Sequence, residues 1–326
     1  MPIPLDSPPK PVPTEDVRLG IASMLAGMVL MAVGNAAAKV LAESYPLNEV
    51  TFFRNLFALL PAVAMLAAAG GRPCLRTDHL PGHVWRAVIG LTSMVLLFWS
   101  YHLMPLADAV AISYSAPLFL TALSVPLLGE RVGPYRWGAV TVGFAGVLVM
   151  VQPGGMVLGK GVPVALAAAV AYALAQIAMR QLGRTERPVT TVFYFTAIAT
   201  VLSGLTLPFA WTTPTWEGFG LMALMGLAGG GSQHFITRAY ALAPAAVVSP
   251  FSYAGLLWAA LFGWLVWGDV PGLPVVAGAG IVIASGLMIL CREARRPPSP
   301  RNDAEGPAMM NACQASRAMP GIEGTR

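Results

Sequence analysis

The stretch YHLMPLADAVAISYSAPLFLTALSVPLLGERVG, residues 101–133, decides the fold because the chain repeats its pattern in residues 240–272. The second copy reads YALAPAAVVSPFSYAGLLWAALFGWLVWGDVPG, and at an offset of 139 nine of thirty-three positions are identical. In addition, Glu130 faces Asp269, an acid on an acid. The pattern predicts two copies of one structural unit. The identical positions are Tyr101/Tyr240, Leu103/Leu242, Pro105/Pro244, Ala107/Ala246, Ser113/Ser252, Tyr114/Tyr253, Leu118/Leu257, Gly129/Gly268 and Gly133/Gly272.

The composition around this repeat is that of a membrane protein. Of 326 residues, 56% are hydrophobic and 11% charged, whereas ordinary soluble domains have roughly 45–50% and about 25%. Long runs, such as 21–38 and 273–290, contain no Asp, Glu, Lys or Arg. Runs of about 18 apolar residues are typical of transmembrane helices.

Ten segments of this kind are predicted, and they fall into two sets of five. Because five is odd, the second set enters the membrane in the opposite orientation, which gives an inverted-topology repeat. We therefore predict an all-α integral membrane protein of ten transmembrane helices, with repeat 1 at 18–151 and repeat 2 at 160–291. The predicted segments are 18–42, 47–69, 83–103, 106–128, 133–151, 160–181, 188–210, 217–241, 245–267 and 270–291.

The positive charges predict the orientation. With the N-terminus in the cytoplasm, sixteen Lys and Arg residues lie on the inner side, and only Lys160 lies in an outer loop. This bias places both termini inside, with an even number of spans. Residues 1–17 are then a cytoplasmic tail, and residues 292–326 a disordered cytoplasmic tail. The net charge of +5 reports this topology, so no nucleic-acid partner is expected.

Three stretches resemble a known family. They are LMPLADAVAISYSAPLFLTALSVPLLGERVGPYRWGAVTVGFAGVLVM (103–150), EVTFFRNLFALLP (49–61) and WRAVIGLTSMVLLFWSYHLMPLADA (85–109). Together they resemble the EamA domains of the drug/metabolite transporter superfamily, and within it the S-adenosylmethionine uptake carriers. The resemblance implies a ten-helix transporter of small organic metabolites in the inner membrane, with helices one to four and six to nine around a central cavity.

The second half departs from the first at two positions. Leu256 replaces Pro117, and either Tyr194 or Phe195 stands in the place of Arg54.

The fifth and tenth helices carry small residues four apart, at Ala139/Gly143 and Gly280/Ala284, a spacing that lets helix backbones approach closely. These two helices are predicted to pack outside the cavity. A homodimer formed through such helices is left open.

Arg54 is the first candidate site residue. It lies about seven residues, or roughly 10 Å, from the outer end of its apolar helix, which strains a path to the outer water. A permanently charged guanidinium at this depth needs an anionic partner or backbone carbonyls. Arg54 therefore binds either an anionic group of a substrate or a structural partner. Lys39 is a second cationic candidate, although it could also reach the outer headgroups.

Other polar residues within the predicted helices complete the candidate substrate site. The Ser-Tyr pairs recur at symmetric positions, and tyrosine offers both an apolar face and a hydroxyl. Proline breaks helix hydrogen bonding, so Pro117 is a candidate hinge. Each of the other residues also has an ordinary packing role as its alternative. The candidates besides Arg54 and Lys39 are Asn35, Trp99, Tyr114, Gln176, His234 and Tyr253.

No catalytic, metal-binding or cofactor-binding pattern is recognised. The nearest metal-like group, Cys74, Asp78, His79 and His83, is interrupted by Pro81. We expect a secondary transporter that works by alternating access, with the lipid bilayer and a small metabolite as its partners. The candidate substrates are S-adenosylmethionine, an amino-acid-like carboxylate, riboflavin and an exported metabolite or drug. The alternative is a membrane scaffold or sensor built on a transporter fold.

Overall fold

The structure, a computed structural model, describes residues 16–68, 75, 77, 79–129, 133–151, 159–183, 185–243 and 245–294. Within these ranges the regular structure is entirely helical. Both predicted tails lie mainly outside them. The helices are α1 (Val17–Ser44), α2 (Leu47–Ala68), α3 (Leu80–Leu103), α4 (Leu106–Ser113), α5 (Ala116–Leu128), α6 (Pro134–Val151), α7 (Gly161–Leu182), α8 (Pro188–Gly204), α9 (Trp216–Leu242), α10 (Ala245–Val248), α11 (Ala254–Trp267) and α12 (Leu273–Ala294).

All ten predicted segments are helical, which confirms the predicted fold class. The fourth is divided between α4 and α5, and the ninth consists of α10, a 3-10 turn at 249–253, and α11. Seven segments are both long and apolar enough to cross a membrane by themselves. The other three are α9, which carries several polar side chains, and α6 and α12, whose apolar parts are shorter (137–150 and 273–288).

The packing follows the repeat. The first helix of each repeat contacts the third helix of the other repeat: α1 contacts α9, and α7 contacts α3. The second helix of each repeat contacts that same third helix: α2 contacts α9, and α8 contacts α3. Gly20 of α1 lies where an added Cβ would be 2.8 Å from Ala243, and Gly161 of α7 lies where it would be 3.2 Å from Met104. Offsets of 141 and 139 relate these residues. The two halves are therefore related by a pseudo-two-fold axis.

The fifth helix of each repeat, α6 and α12, packs mainly against the other. The backbones meet at Gly146 and Gly278, where a Cβ added to Gly278 would lie 2.5 Å from the carbonyl oxygen of Gly146. Ser285 Oγ donates a hydrogen bond to the Ala139 carbonyl at 2.5 Å. Gly280, one of the small residues singled out in the sequence, has open space beside it. The close approach thus uses Gly278 because it, and not Gly280, faces α6.

Both repeats interrupt their fourth helix at the same place. In repeat 1 the break is at Tyr114–Ser115, and in repeat 2 it ends at Tyr253. Pro117 lies in the first turn of α5, where its missing N–H removes no helix hydrogen bond. Repeat 2 makes its break with Leu256 at the equivalent position. The break therefore does not require proline there, and the assignment of Pro117 as the hinge stays a prediction.

Candidate functional site

Arg54 lies on α2 where that helix crosses α9. Its Nη1 donates a hydrogen bond to Asn55 Oδ1 at 3.1 Å. A Cβ added to Gly229 of α9 would lie 3.3 Å from Nη2, so the guanidinium faces a residue with no side chain. Among the residues that the structure describes, no carboxylate lies within 4.0 Å of it. The guanidinium is therefore held in place, and its charge has no counter-ion among the described residues.

Lys39 has a different environment at the end of α1. Its Nζ lies 3.1 Å from Asp269 Oδ2 and 4.4 Å from the centroid of the Trp267 ring. The Trp267 indole N–H donates in turn to Glu43 Oε1 at 3.0 Å. In this conformation Lys39 already has an anionic protein partner, which connects α1 to the segment after α11. Its role in substrate binding stays a prediction.

Tyr114 and Tyr253 meet where α4 and α11 cross. Their ring centroids are 5.3 Å apart, with the planes inclined at 42°. The Tyr114 hydroxyl donates to the Ser252 carbonyl at 2.8 Å, and the Tyr253 hydroxyl lies against Gly286 of α12. The pair occupies equivalent positions of the two repeats, so it lies beside the pseudo-two-fold axis. Whether the rings also contact a substrate stays a prediction.

Two candidate amides are also symmetric. Asn35 on α1 and Gln176 on α7 are related by the same offset of 141 that relates Gly20 to Gly161. Both are half-buried. An amide can donate and accept hydrogen bonds at once. The fold thus places one such group in the first helix of each repeat. Because the repeat is inverted, the two positions are equivalent when depth is measured from opposite sides of the membrane.

The remaining candidates, Trp99 and His234, have exposed side chains. Trp99 on α3 has 45% of its surface exposed, and His234 on α9 is also exposed. The His234 ring contacts its neighbour Phe235, with centroids 5.7 Å apart. This contact is between neighbouring residues of α9 and includes neither Arg54 nor the tyrosine pair. Their place in a substrate site stays a prediction.

Arg86 is one of the sixteen cations that the sequence analysis places on the cytoplasmic side, and it was not predicted as a site residue. The structure begins α3 at Leu80, three residues earlier than predicted, so Arg86 lies deeper in the helix. Its guanidinium lies 4.4 Å from the centroid of the Phe195 ring. Gly90 is the sequence feature that could have indicated this group, because the repeat aligns it with Gly229 at the offset of 139.

The profile of the EamA-like transporter family matches residues 18–152 and 159–291, one copy in each half. The chain belongs to the EamA-like transporter family. A riboflavin transporter from Rhizobium johnstonii is 30% identical over 79% of this chain and 85% of its own. The pseudopaline exporter CntI of Pseudomonas aeruginosa is 29% identical, over 85% and 97%. An S-adenosylmethionine uptake transporter from Rickettsia prowazekii is 29% identical, over 84% and 93%.

A solved crystal structure has the same fold, with a TM-score of 0.58 over 84% of this chain and 99% of its own at 19% identity. The family and these relatives are transporters of small molecules, not enzymes. The protein is therefore a multi-pass membrane transporter of the drug/metabolite superfamily, and its resemblance to the S-adenosylmethionine carriers is confirmed. The relatives differ in substrate and in direction, so the substrate is a separate question.

Proposed function

We propose that this EamA-family protein is an inner-membrane secondary transporter of a carboxylate-bearing small metabolite, working by alternating access. The observation that carries the proposal is Arg54, a guanidinium inside the helix bundle that faces Gly229 without a described carboxylate partner. A cation at this depth is stabilised by an anion. The substrate's carboxylate supplies it.

S-adenosylmethionine or an amino-acid-like compound fits this chemistry. S-adenosylmethionine carries a carboxylate, a cationic sulfonium and an aromatic base. Arg54 would bind the carboxylate, and Tyr114 and Tyr253 offer aromatic faces to the base. The amides of Asn35 and Gln176 can bond to its polar edges.

Riboflavin is the second candidate, favoured by the riboflavin transporter among the relatives. It has a flat aromatic ring system and no carboxylate. Its binding would therefore use the tyrosine rings and would not depend on the charge of Arg54. This difference separates the two candidates experimentally.

The proposed orientation has both termini in the cytoplasm. It rests on the sixteen cations on one side of the membrane against Lys160 on the other. In this orientation Arg54 and Lys39 lie in the half of the bundle near the periplasm, and Arg86 lies in the half near the cytoplasm. A membrane scaffold or sensor on the same fold, or a homodimer through its small-residue helices, remains compatible with this topology.

The test is a thermal-stability screen of the purified protein in detergent with S-adenosylmethionine, amino acids, riboflavin and an exported-drug panel. Ligands that bind the folded protein raise its melting temperature. We expect S-adenosylmethionine or an amino acid to stabilise the wild type and the matched control Arg238→Met, which removes an exposed arginine of α9. Arg54→Met should lose the shift, and Arg54→Lys should keep part of it.

Two outcomes oppose the proposal. Stabilisation of Arg54→Met equal to that of the wild type would remove Arg54 from the site, and a shift with riboflavin alone would favour the second candidate. If Arg54→Met does not fold, Arg54→Lys still reports on the ligand, because it keeps the charge but loses the bidentate geometry.

A further inference from the structure

We propose that Arg86 is a second anion-binding residue, located in the cytoplasmic half of the bundle, that takes the substrate's carboxylate when the protein opens inward. The inference rests on the proposed function and extends it from one arginine to two. It is carried by the unpaired donors of Arg86 and by its position relative to Arg54 in the repeat.

The guanidinium of Arg86 is largely unsatisfied. Its Nε and Nη1 are buried and have no hydrogen-bond partner in the part of the chain that the structure describes. Its Nη2 donates to the Met179 sulfur, a weak acceptor, at 3.7 Å. One face of the group lies 4.4 Å from the centroid of the Phe195 ring. Such a stack orients the guanidinium plane but does not neutralise its charge. Buried donors of a charged group are costly to leave unpaired, so this position calls for an anion.

Glu186, a carboxylate that lies close to His83 of the same helix as Arg86, is already engaged with other groups. Glu186, in the segment before α8, accepts a hydrogen bond from Thr77 Oγ1 at 2.5 Å, and its Oε2 lies 3.9 Å from His83 Nε2. Among the described residues, no carboxylate lies within 4.0 Å of Arg86. The donors of Arg86 are thus available to a mobile anion.

The repeat relates this group to Arg54. Arg54 comes seven residues after the start of α2 at Leu47, and Phe195 comes seven residues after the start of α8 at Pro188. Phe195 packs on Gly90 of α3, where an added Cβ would lie 2.7 Å from the ring, as Arg54 packs on Gly229 of α9. Gly90 and Gly229 are related by the offset of 139. Phe195 is therefore the counterpart of Arg54.

This relation places one guanidinium on each side of the pseudo-two-fold axis, which lies in the plane of the membrane. In one half it comes directly from Arg54. In the other half the equivalent position holds the Phe195 ring, and Arg86 of α3 lies on that ring. Because an inverted repeat exchanges its two halves between the inward-open and outward-open states, the substrate's carboxylate would meet Arg54 from the periplasm and Arg86 toward the cytoplasm.

The first experiment compares melting temperatures of ligand-free, full-length protein in a detergent buffer free of carboxylates. Arg86→Met keeps an unbranched side chain and removes the unpaired charge. We expect its melting temperature to rise by about 2–4 °C, because the desolvation cost of the guanidinium disappears. The control Arg238→Met should leave it unchanged. A lower melting temperature for Arg86→Met would overturn the proposal, because it would show a protein partner such as Glu186 holding Arg86.

The second experiment uses the smallest matched probes, acetate and acetamide, which differ in charge and little in shape. In an Arg54→Met background, acetate should raise the melting temperature relative to acetamide at equal concentration. The shift should disappear when Arg86→Met is added and persist when Arg238→Met is added. An acetate effect of equal size in all three proteins, or none in the Arg54→Met protein, would overturn the inference. Neither experiment measures flux. A failure of the proposed transport would appear in a counterflow measurement in liposomes and not in these melting temperatures.

Discussion

Two arginines inside the bundle, Arg54 and Arg86, differ in how clearly the sequence marked them as candidate site residues. Arg54 was visible in the sequence because it interrupts an apolar helix well away from its end. Arg86 was not recognisable in the sequence, since its environment depends on Phe195, which tertiary packing brings from α8. Lys39 was correctly placed near the end of α1, but its partner Asp269 lies 230 residues away in the chain. Sequence thus identified the cations better than their partners.

The Lys39–Asp269 ion pair should stabilise the contact between α1 and the segment after α11. The Lys39 side chain is 8% exposed and that of Asp269 is 31% exposed. Because this exposure is intermediate, we expect Lys39→Met or Asp269→Asn alone to cost about 1–3 kcal/mol in the free energy of unfolding. The double variant should cost less than the sum. Denaturation of the four proteins measures the coupling, and strictly additive costs would contradict the pair.

At the scale of helices, the apolar pattern predicted every span, whereas it did not identify the glycines at helix crossings. The sequence favoured Gly280 on α12, and the structure uses Gly278, two residues earlier on another face of the helix. The glycine-rich run of α9 likewise meets α2, where a Cβ on Gly226 would lie 2.8 Å from the Arg54 carbonyl oxygen. Which glycine faces a partner depends on helix rotation, which a nearly uniform apolar surface does not specify.

Alanine substitutions on α12 test this interface with a built-in control. Gly278→Ala should lower the free energy of unfolding by about 1–3 kcal/mol, because the methyl group would collide with the Gly146 carbonyl of α6. Gly280→Ala, in the same helix with open space beside it, should be neutral or stabilise by about 0.5–1 kcal/mol. Thermal or denaturant unfolding of both variants provides the comparison. Equal effects would contradict the assigned face.

A second substitution pair tests the crossing that supports Arg54. Gly226→Ala should separate α2 from α9, since its methyl group would lie 2.5 Å from Phe57 Cβ and close to the α2 backbone. Gly220→Ala, also in α9, meets no atom within 4 Å and serves as the control. We expect only the first to reduce both thermal stability and the Arg54-dependent ligand shift. Full retention of both by Gly226→Ala would contradict the close approach.

At the scale of the whole molecule, the inverted repeat explains the arrangement of charges at the two ends. The offset that relates α1 to α7 aligns Lys39 with Arg180, and the offset of the fourth helices aligns Asp269 with Glu130, which lies outside the described residues. Repeat identity was predictable because the equivalent positions could be aligned. The pairing of Lys39 with Asp269 was not, because a sequence repeat does not say which helices touch.

The symmetry predicts opposite effects of the two cations on the conformational equilibrium. Lys39→Met removes a contact near the periplasmic end and should favour the outward-open state, whereas Arg180→Met, at the equivalent position near the cytoplasmic end, should favour the inward-open state. The readout is labelling of Asn35→Cys by an impermeant thiol reagent in right-side-out vesicles, with Cys74, Cys291 and Cys313 replaced by serine. Labelling should increase in the first variant and decrease in the second. Changes in the same direction would contradict the symmetry.

We propose that this protein carries a carboxylate-bearing metabolite across the membrane and uses Arg54 to bind it. The most direct test is counterflow in liposomes loaded with unlabelled S-adenosylmethionine and placed in labelled S-adenosylmethionine. We predict transient accumulation of label with the wild type and with Arg238→Met, and its loss with Arg54→Met. If S-adenosylmethionine raises the melting temperature of the wild type but no label accumulates, the protein binds its ligand without exchanging it, which contradicts transport and supports a sensor.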